Sequence, residues 1–99
     1  MNYRISVEAS NDLEKIWLYT FEHWSEQQAD RYINLIIDEV EYISKNPHSG
    51  KDYSIIRKGY YRARAQSHFI FYKINIKKNV VEIIRILHSQ MDIESRLGD

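Results

Sequence analysis

The stretch from Val80 to Leu87, Val-Val-Glu-Ile-Ile-Arg-Ile-Leu, constrains the chain most. It is largely β-branched and apolar at odd and even positions alike, the pattern of a strand covered on both faces inside a sheet. A chain carrying such a strand must supply layers above and below it. Arg85 sits within the run, and arginine is seldom buried without a partner. It is therefore either held by a carboxylate, for which Asp92 is one candidate, or directed at a molecule that arrives later. Beyond Leu87 the run breaks into the polar tail His88-Ser89-Gln90-Met91-Asp92.

The rest of the chain provides those layers. Tyr3, Ile5 and Val7 alternate with polar residues as a short half-buried strand, and Ser6 is a helix N-cap candidate with Glu8 in the first turn. Ala9, Leu13, Ile16, Trp17, Thr20 and Trp24 then recur at three- and four-residue spacing, one buried stripe on a helix ending near His23. Their shared phase assigns both tryptophans to core packing. Ser25 with Gln28 forms a capping box, and Ala29, Tyr32, Ile33, Ile36, Val40 and Ile43 make a second stripe. That helix stops near Lys45, because the residue before Pro47 is pushed out of the α region. With almost no residues between them, the helices form an antiparallel hairpin facing a sheet.

Tyr60–Ala65 alternates, with Arg62 and Arg64 on one face and Ala63 and Ala65 packing inward on the other. Gln66-Ser67 is a turn into a strand over 68–74, and Lys77-Lys78-Asn79 is a second turn into the run at Val80. The order is β-α-α-β-β-β. It predicts an α+β fold, a helical hairpin packed on an antiparallel β-sheet, with residues 1–99 in a single domain and 93–99 as a short helical turn or a frayed end.

Charge is split along the chain. Residues 1–49 hold four bases and nine acids, net −5, and residues 50–99 hold ten bases and five acids, net +5. A basic half suits nucleic acid or an acidic protein surface. The absence of cysteine rules out disulfides and thiolate metal sites and fits a cytoplasmic protein, and neither a signal peptide nor a membrane span is expected. Three glycines leave no phosphate-cradling loop. His23, His48, His68 and His88 fall at no metal-ligand spacing, so neither a metal nor another cofactor is expected.

What remains is a basic constellation, Arg62, Arg64 and Arg85, with His88 at the end of the last strand. On one surface these groups would suit phosphodiester chemistry, the arginines stabilising developing negative charge and His88 acting as general acid. The same surface would serve as a docking face for a protein with acidic and apolar residues. The structural alternative is an ion-paired Arg85 and a backbone-bonded His88. Period two places Ile83, Arg85 and Leu87 on one side and Ile84, Ile86 and His88 on the other, which separates the arginine from the histidine.

Ala9-x-x-Asp12-Leu13-x-x-Ile16, Gln28-Ala29-x-x-Tyr32, Asn46-Pro47-x-x-Gly50, Gly59-Tyr60, His68-x-Ile70-Phe71-Tyr72 and Ile84-Arg85-Ile86-Leu87-His88-x-x-Met91-Asp92 occur in that order across nearly the whole chain. In this it resembles the ParE toxins of bacterial type II toxin–antitoxin systems, which share their fold with the RelE ribosome-dependent mRNA endonucleases. The resemblance implies a toxin that is not itself an enzyme, inhibits DNA gyrase and is neutralised by a ParD-like antitoxin whose C-terminal segment wraps it. It implies no sequence-specific DNA binding by the toxin alone. Arg62, Arg64, Arg85, His88, Met91 and Asp92 become candidates for contact with target or antitoxin, and the outer parity of the 80–87 strand is expected to lie under the antitoxin segment. The alternative is a RelE-like ribonuclease with Arg62, Arg64, Arg85 and His88 as its catalytic groups. It lacks the C-terminal tyrosine of such enzymes, because no tyrosine follows Tyr72.

Overall fold

Two serines set the start of the helical layer. Ser6 Oγ accepts the Ala9 N–H at 3.0 Å and Ser25 Oγ accepts the Gln28 N–H at 3.1 Å. The helices begin one residue later, α1 at Val7–His23 and α2 at Glu26–Lys45. In the computed structural model, which describes residues 1–97, they follow β1 (Asn2–Ile5) and precede β2 (Lys51–Asp52), β3 (Tyr61–Ala65), β4 (His68–Asn75), β5 (Val80–His88) and α3 (Ile93–Leu97). Residues 98 and 99, part of the expected C-terminal turn, lie outside the described residues.

The strands form one sheet in the order β1-β5-β4-β3-β2. The meander over β3, β4 and β5 is antiparallel, as the short turns require, but β1 runs parallel to β5. The sheet is therefore mixed. The reason is the long connection: the helical hairpin and the meander separate β1 from β5 in sequence, so no tight turn dictates their direction. β2 is a two-residue strand inside the irregular stretch that joins α2 to β3, paired with Tyr61 and Arg62. Gln66 and Asn79, with φ of 56° and 54°, take the left-handed conformation at the two hairpin turns.

The face of the sheet toward the helices buries Ile70, Tyr72, Val81, Ile83 and Ile86 against Ala9, Ile36, Val40 and Ile43. The opposite face carries Phe71 and Leu87, covered by Leu97 with Ile93, Tyr53, Tyr60 and Phe69 around them. Both parities of β5 are thus covered within the chain, the outer one by α3. Simple alternation fails inside β5. Phe71 pairs with Arg85 and Tyr72 with Ile83, so Ile84 is an extra residue in a bulge. Ile83 and Ile86 consequently both face the helices, and Ile83 does not share a face with Arg85 and Leu87.

Tyr72 ties the irregular stretch to the core. Its hydroxyl donates to the Pro47 carbonyl at 2.9 Å and accepts the Gly50 N–H at 3.0 Å, and burial raises its pKa. Position 50 needs glycine because a Cβ there would overlap Tyr72 Oη and press on the Arg62 carbonyl.

The α1 stripe is shorter than its spacing suggests. Trp24 is 75% exposed, contrary to the core role expected for it. The helix ends at His23, and Trp24 adopts φ −131° and ψ −89°, which turns its side chain out of the stripe. Trp17 is half-buried, with its Nε1–H on Asp30 Oδ1 at 2.9 Å and its ring stacked on Phe21.

Candidate partner-binding groove

β1 stops at Ile5, yet β5 continues to His88, so the second half of β5 has a free backbone edge. α1 takes over that edge. The Ser6 N–H donates to Ile83 O at 3.0 Å, Ser6 Oγ donates to Ile84 O at 2.8 Å, and Asp12 Oδ2 accepts the Ile86 N–H at 2.9 Å. Asp12 is 8% exposed, and a buried carboxylate demands further donors. Arg85 supplies them, Nε to Oδ2 at 2.8 Å and Nη2 to Oδ1 at 3.0 Å, by bending around the edge that β1 has vacated. Its Nη1 donates to Arg96 O at 2.9 Å. Arg85 thus fastens α1, β5 and α3 together, and the Asp12 hydrogen bonds hold its pKa above the ordinary arginine value. Asp92, the acid suggested by the sequence, is exposed and instead accepts the Arg96 N–H on its carbonyl at 3.2 Å.

Beside this anchor, α1 and the ends of β4 and β5 enclose a groove of about 740 Å³. Ile16, Tyr19, Trp24, Leu87 and Met91 form its apolar part, with Lys15 and Arg96 adding positive charge. His68 and His88 also line it, paired across β4 and β5 with ring centroids 5.1 Å apart and nearly perpendicular. Tyr32 Oη accepts the Ser67 N–H at 3.1 Å and is hydrogen-bonded to His68 Nδ1 at 2.8 Å, the donor there being set by the tautomer of the ring. His88 Nδ1 accepts the Gln90 N–H at 3.1 Å. A neutral His88 ring accordingly carries its proton on Nε2. Among the described residues no three His, Asp or Glu side chains come together as metal ligands.

Burial, reinforced by His88 and opposed by Asp12, pushes the His68 pKa down to about 4. The unfolded chain binds this proton near the ordinary value of about 6.5, so it holds more protons than the fold between these limits. The stabilisation is fully present above pH 6.5 and is lost as the pH falls toward 4. Discounted for the ring's partial exposure, the expected loss is about 1–2 kcal/mol. Urea denaturation of the parent and of His68→Gln across this range checks it, the variant showing the shallower pH dependence.

The sequence candidates separate into three places. Arg62 and Arg64 lie on the outer face of β3, Arg62 above Phe69 at 4.2 Å and Arg64 bonded through Nε to Gln66 O at 2.9 Å. Arg85 wraps the edge of β5, and His88 and Met91 line the groove. Opposite parity does not keep Arg85 and His88 apart, because the bend of Arg85 brings it to the same groove. The four groups of the nuclease alternative do not converge. Asp12 was not among the candidates, although an acid between Ala9 and Leu13 on an apolar stripe is a readable signal of a buried partner. Tyr32 and His68 had no such signal, since only the tertiary fold brings them together.

A family model described as the ParE toxin of the type II toxin–antitoxin system parDE matches residues 3–93. The chain belongs to the ParE toxin family. Toxin ParE1 of Caulobacter vibrioides is 36% identical over 96 residues, covering 97% of each chain. Toxin ParE1 of Mycobacterium tuberculosis is 32% identical over 95 residues, covering 96% of each. Toxin ParE of Escherichia coli is 29% identical over 97 residues, covering 98% of this chain and 93% of that protein. Among solved structures, the chromosomal ParDE system from P. aeruginosa superposes with a TM-score of 0.78 at 14% identity, covering 89% of this chain and 95% of that one. The RelBE2 toxin–antitoxin complex from Mycobacterium tuberculosis gives 0.67 at 22% identity, covering 88% and 95%. These structural likenesses establish the RelE/ParE fold. This ParE-family chain is a toxin of a toxin–antitoxin system, and no helix among its described residues is long and apolar enough to cross a membrane.

Proposed function

We infer that this ParE-family toxin acts without catalysis of its own, by poisoning DNA gyrase, and is held inactive by a ParD-like antitoxin. The observation that carries the reading is the dispersal of its would-be catalytic groups. Arg62 and Arg64 lie on the outer face, Arg85 is engaged by Asp12, and His88 lines the groove with Nδ1 engaged. A general acid and its charge stabilisers must reach one reacting phosphate, but only Arg85 shares the groove with His88, where Asp12 already holds it, and Arg62 and Arg64 lie on the other face of the sheet. Purified toxin is expected to inhibit gyrase supercoiling and accumulate cleaved DNA. Normal supercoiling at saturating toxin overturns the reading. Codon-specific cuts in mRNA that disappear in His88→Ala would replace it with ribosome-dependent ribonuclease activity.

The groove suits the antitoxin segment. Apolar side chains flanked by Lys15, Arg85 and Arg96 fit an amphipathic segment carrying acidic residues. Trp24 projects there at 75% exposure and is the natural anchor. Trp24→Ala is expected to weaken binding of the partner antitoxin by about 10- to 100-fold while leaving the melting temperature of the free toxin unchanged. Calorimetric titration paired with thermal denaturation measures both.

A further inference from the structure

The helices and the sheet divide the charge between them. α1 and α2 carry nine carboxylates and three cations from Lys and Arg. The sheet face turned away from them gathers the opposite sign through its register. Lys51, Arg62, Phe71 and Arg85 form one row across β2, β3, β4 and β5. Arg64, Phe69 and Leu87 form the next, and Lys73, Glu82 and Arg4 form another. Residues directly opposite one another share a face. Glu82 is the one carboxylate in these rows, and Arg4 holds it at 2.6 Å. Arg85 turns away to Asp12. Among the described residues, Lys51, Arg62, Arg64 and Lys73 have no carboxylate within ion-pair distance.

Two features set these cations apart from an ordinary solvated surface. The Arg62 guanidinium lies 4.2 Å from the Phe69 ring centre and 5.4 Å from that of Tyr53, Arg64 lies 5.4 Å from Phe69, and the Lys73 ammonium 5.9 Å from Tyr60. Guanidinium groups placed against rings are oriented in advance, which favours bidentate contact with phosphate. In addition, Phe71 and Leu87 on this face are already buried with Leu97. The centre of the surface is charged and aromatic, unlike the charge-depleted centre of a protein–protein interface. Cations held in place by rings and free of carboxylate partners among the described residues match the phosphates of a nucleic-acid backbone.

We propose that the outer sheet face binds DNA independently of sequence, through backbone contacts from Lys51, Arg62, Arg64 and Lys73. The choice of DNA as the polyanion rests on the gyrase reading. The toxin would then hold the DNA of the gyrase complex with its sheet, leaving the groove on the helix side to the antitoxin.

Fluorescence anisotropy of a short labelled DNA duplex titrated with the full chain tests this. Four phosphate contacts imply a fall in affinity of about 100-fold between about 50 and 200 mM salt, and loss of two contacts in Arg62→Ala/Arg64→Ala reduces that fall to about 10-fold. Lys51→Glu, at an exposed edge position, is expected to weaken DNA binding with the melting temperature unchanged, which separates lost contacts from lost folding. Absence of DNA binding at low salt overturns the proposal. Equally tight binding to polyglutamate also overturns it and assigns the face to an acidic protein, and tighter binding to RNA of the same sequence overturns the choice of DNA. If the double variant loses DNA binding but poisons gyrase as the parent does, the DNA-binding face and the gyrase reading both stand, and the role of the face in the gyrase complex is overturned. If the toxin binds DNA as described yet leaves supercoiling untouched, the gyrase reading fails and the DNA-binding face stands.

Discussion

Asp12→Ala is expected to destabilise the toxin by about 3–5 kcal/mol, because it breaks a largely buried charge pair and leaves three N–H donors behind. The Arg85 side chain is 25% exposed and would lose both bonds from Nε and Nη2, keeping only the one to Arg96 O. The Ile86 N–H, on the edge where β1 no longer pairs, would lose its acceptor altogether. Arg85→Ala is expected to cost less, because Asp12 would keep the Ile86 N–H. Replacing both by apolar residues of similar size should recover part of the Asp12→Ala loss but not the backbone bond. Urea denaturation of the single and double variants measures these costs, and an Asp12→Ala change under 1 kcal/mol would show that the pair contributes little. The functional corollary concerns Arg85 itself. If it acts by positioning α1, β5 and α3, toxicity, antitoxin affinity and melting temperature fall together in Arg85→Ala; a direct contact with the target predicts that toxicity falls while the fold holds.

The elements were legible in the sequence because their signals are local. Ser6 and Ser25 stand one residue before their helices, Asn46-Pro47 follows the end of α2, and alternation placed Arg62 and Arg64 on the face opposite Ala63 and Ala65. The site was less legible because its decisive contacts are long-range. Asp12 and Arg85 are 73 residues apart, and Tyr32 and His68 are 36 apart. The bulge at Ile84 is equally hidden. A period of two assigns faces only while every residue has a cross-strand partner, and one inserted residue reverses the assignment on one side of it. Trp24 shows the same limit at a helix end: its spacing continues the stripe, but the backbone leaves the helix one residue too soon. The parallel pairing of β1 had no local signal, since direction between sequence-distant strands is set by how the intervening layer packs.

Phe71→Ala is expected to cost the isolated toxin about 3–5 kcal/mol, the ordinary range for emptying a buried aromatic site. Phe71 is fully buried although it lies on the face of the sheet away from the helical hairpin. Tyr53 meets it edge-on at 5.3 Å, Phe69 at 6.2 Å, and Leu87 and Leu97 complete the cluster. The resemblance had suggested an outer parity of β5 covered by antitoxin; under that arrangement the substitution would leave the free toxin's stability nearly unchanged and act mainly on the complex. Coverage by the chain's own α3 and by Tyr53 predicts the reverse, a large loss without any partner present. Equilibrium unfolding of the free variant beside antitoxin titration separates the two. Because the second core is built from the loop before β3 and the short helix after β5, its loss would also loosen the platform on which Arg62 and Arg64 sit. Salt-dependent DNA binding is therefore expected to weaken in Phe71→Ala although the substitution removes no charge.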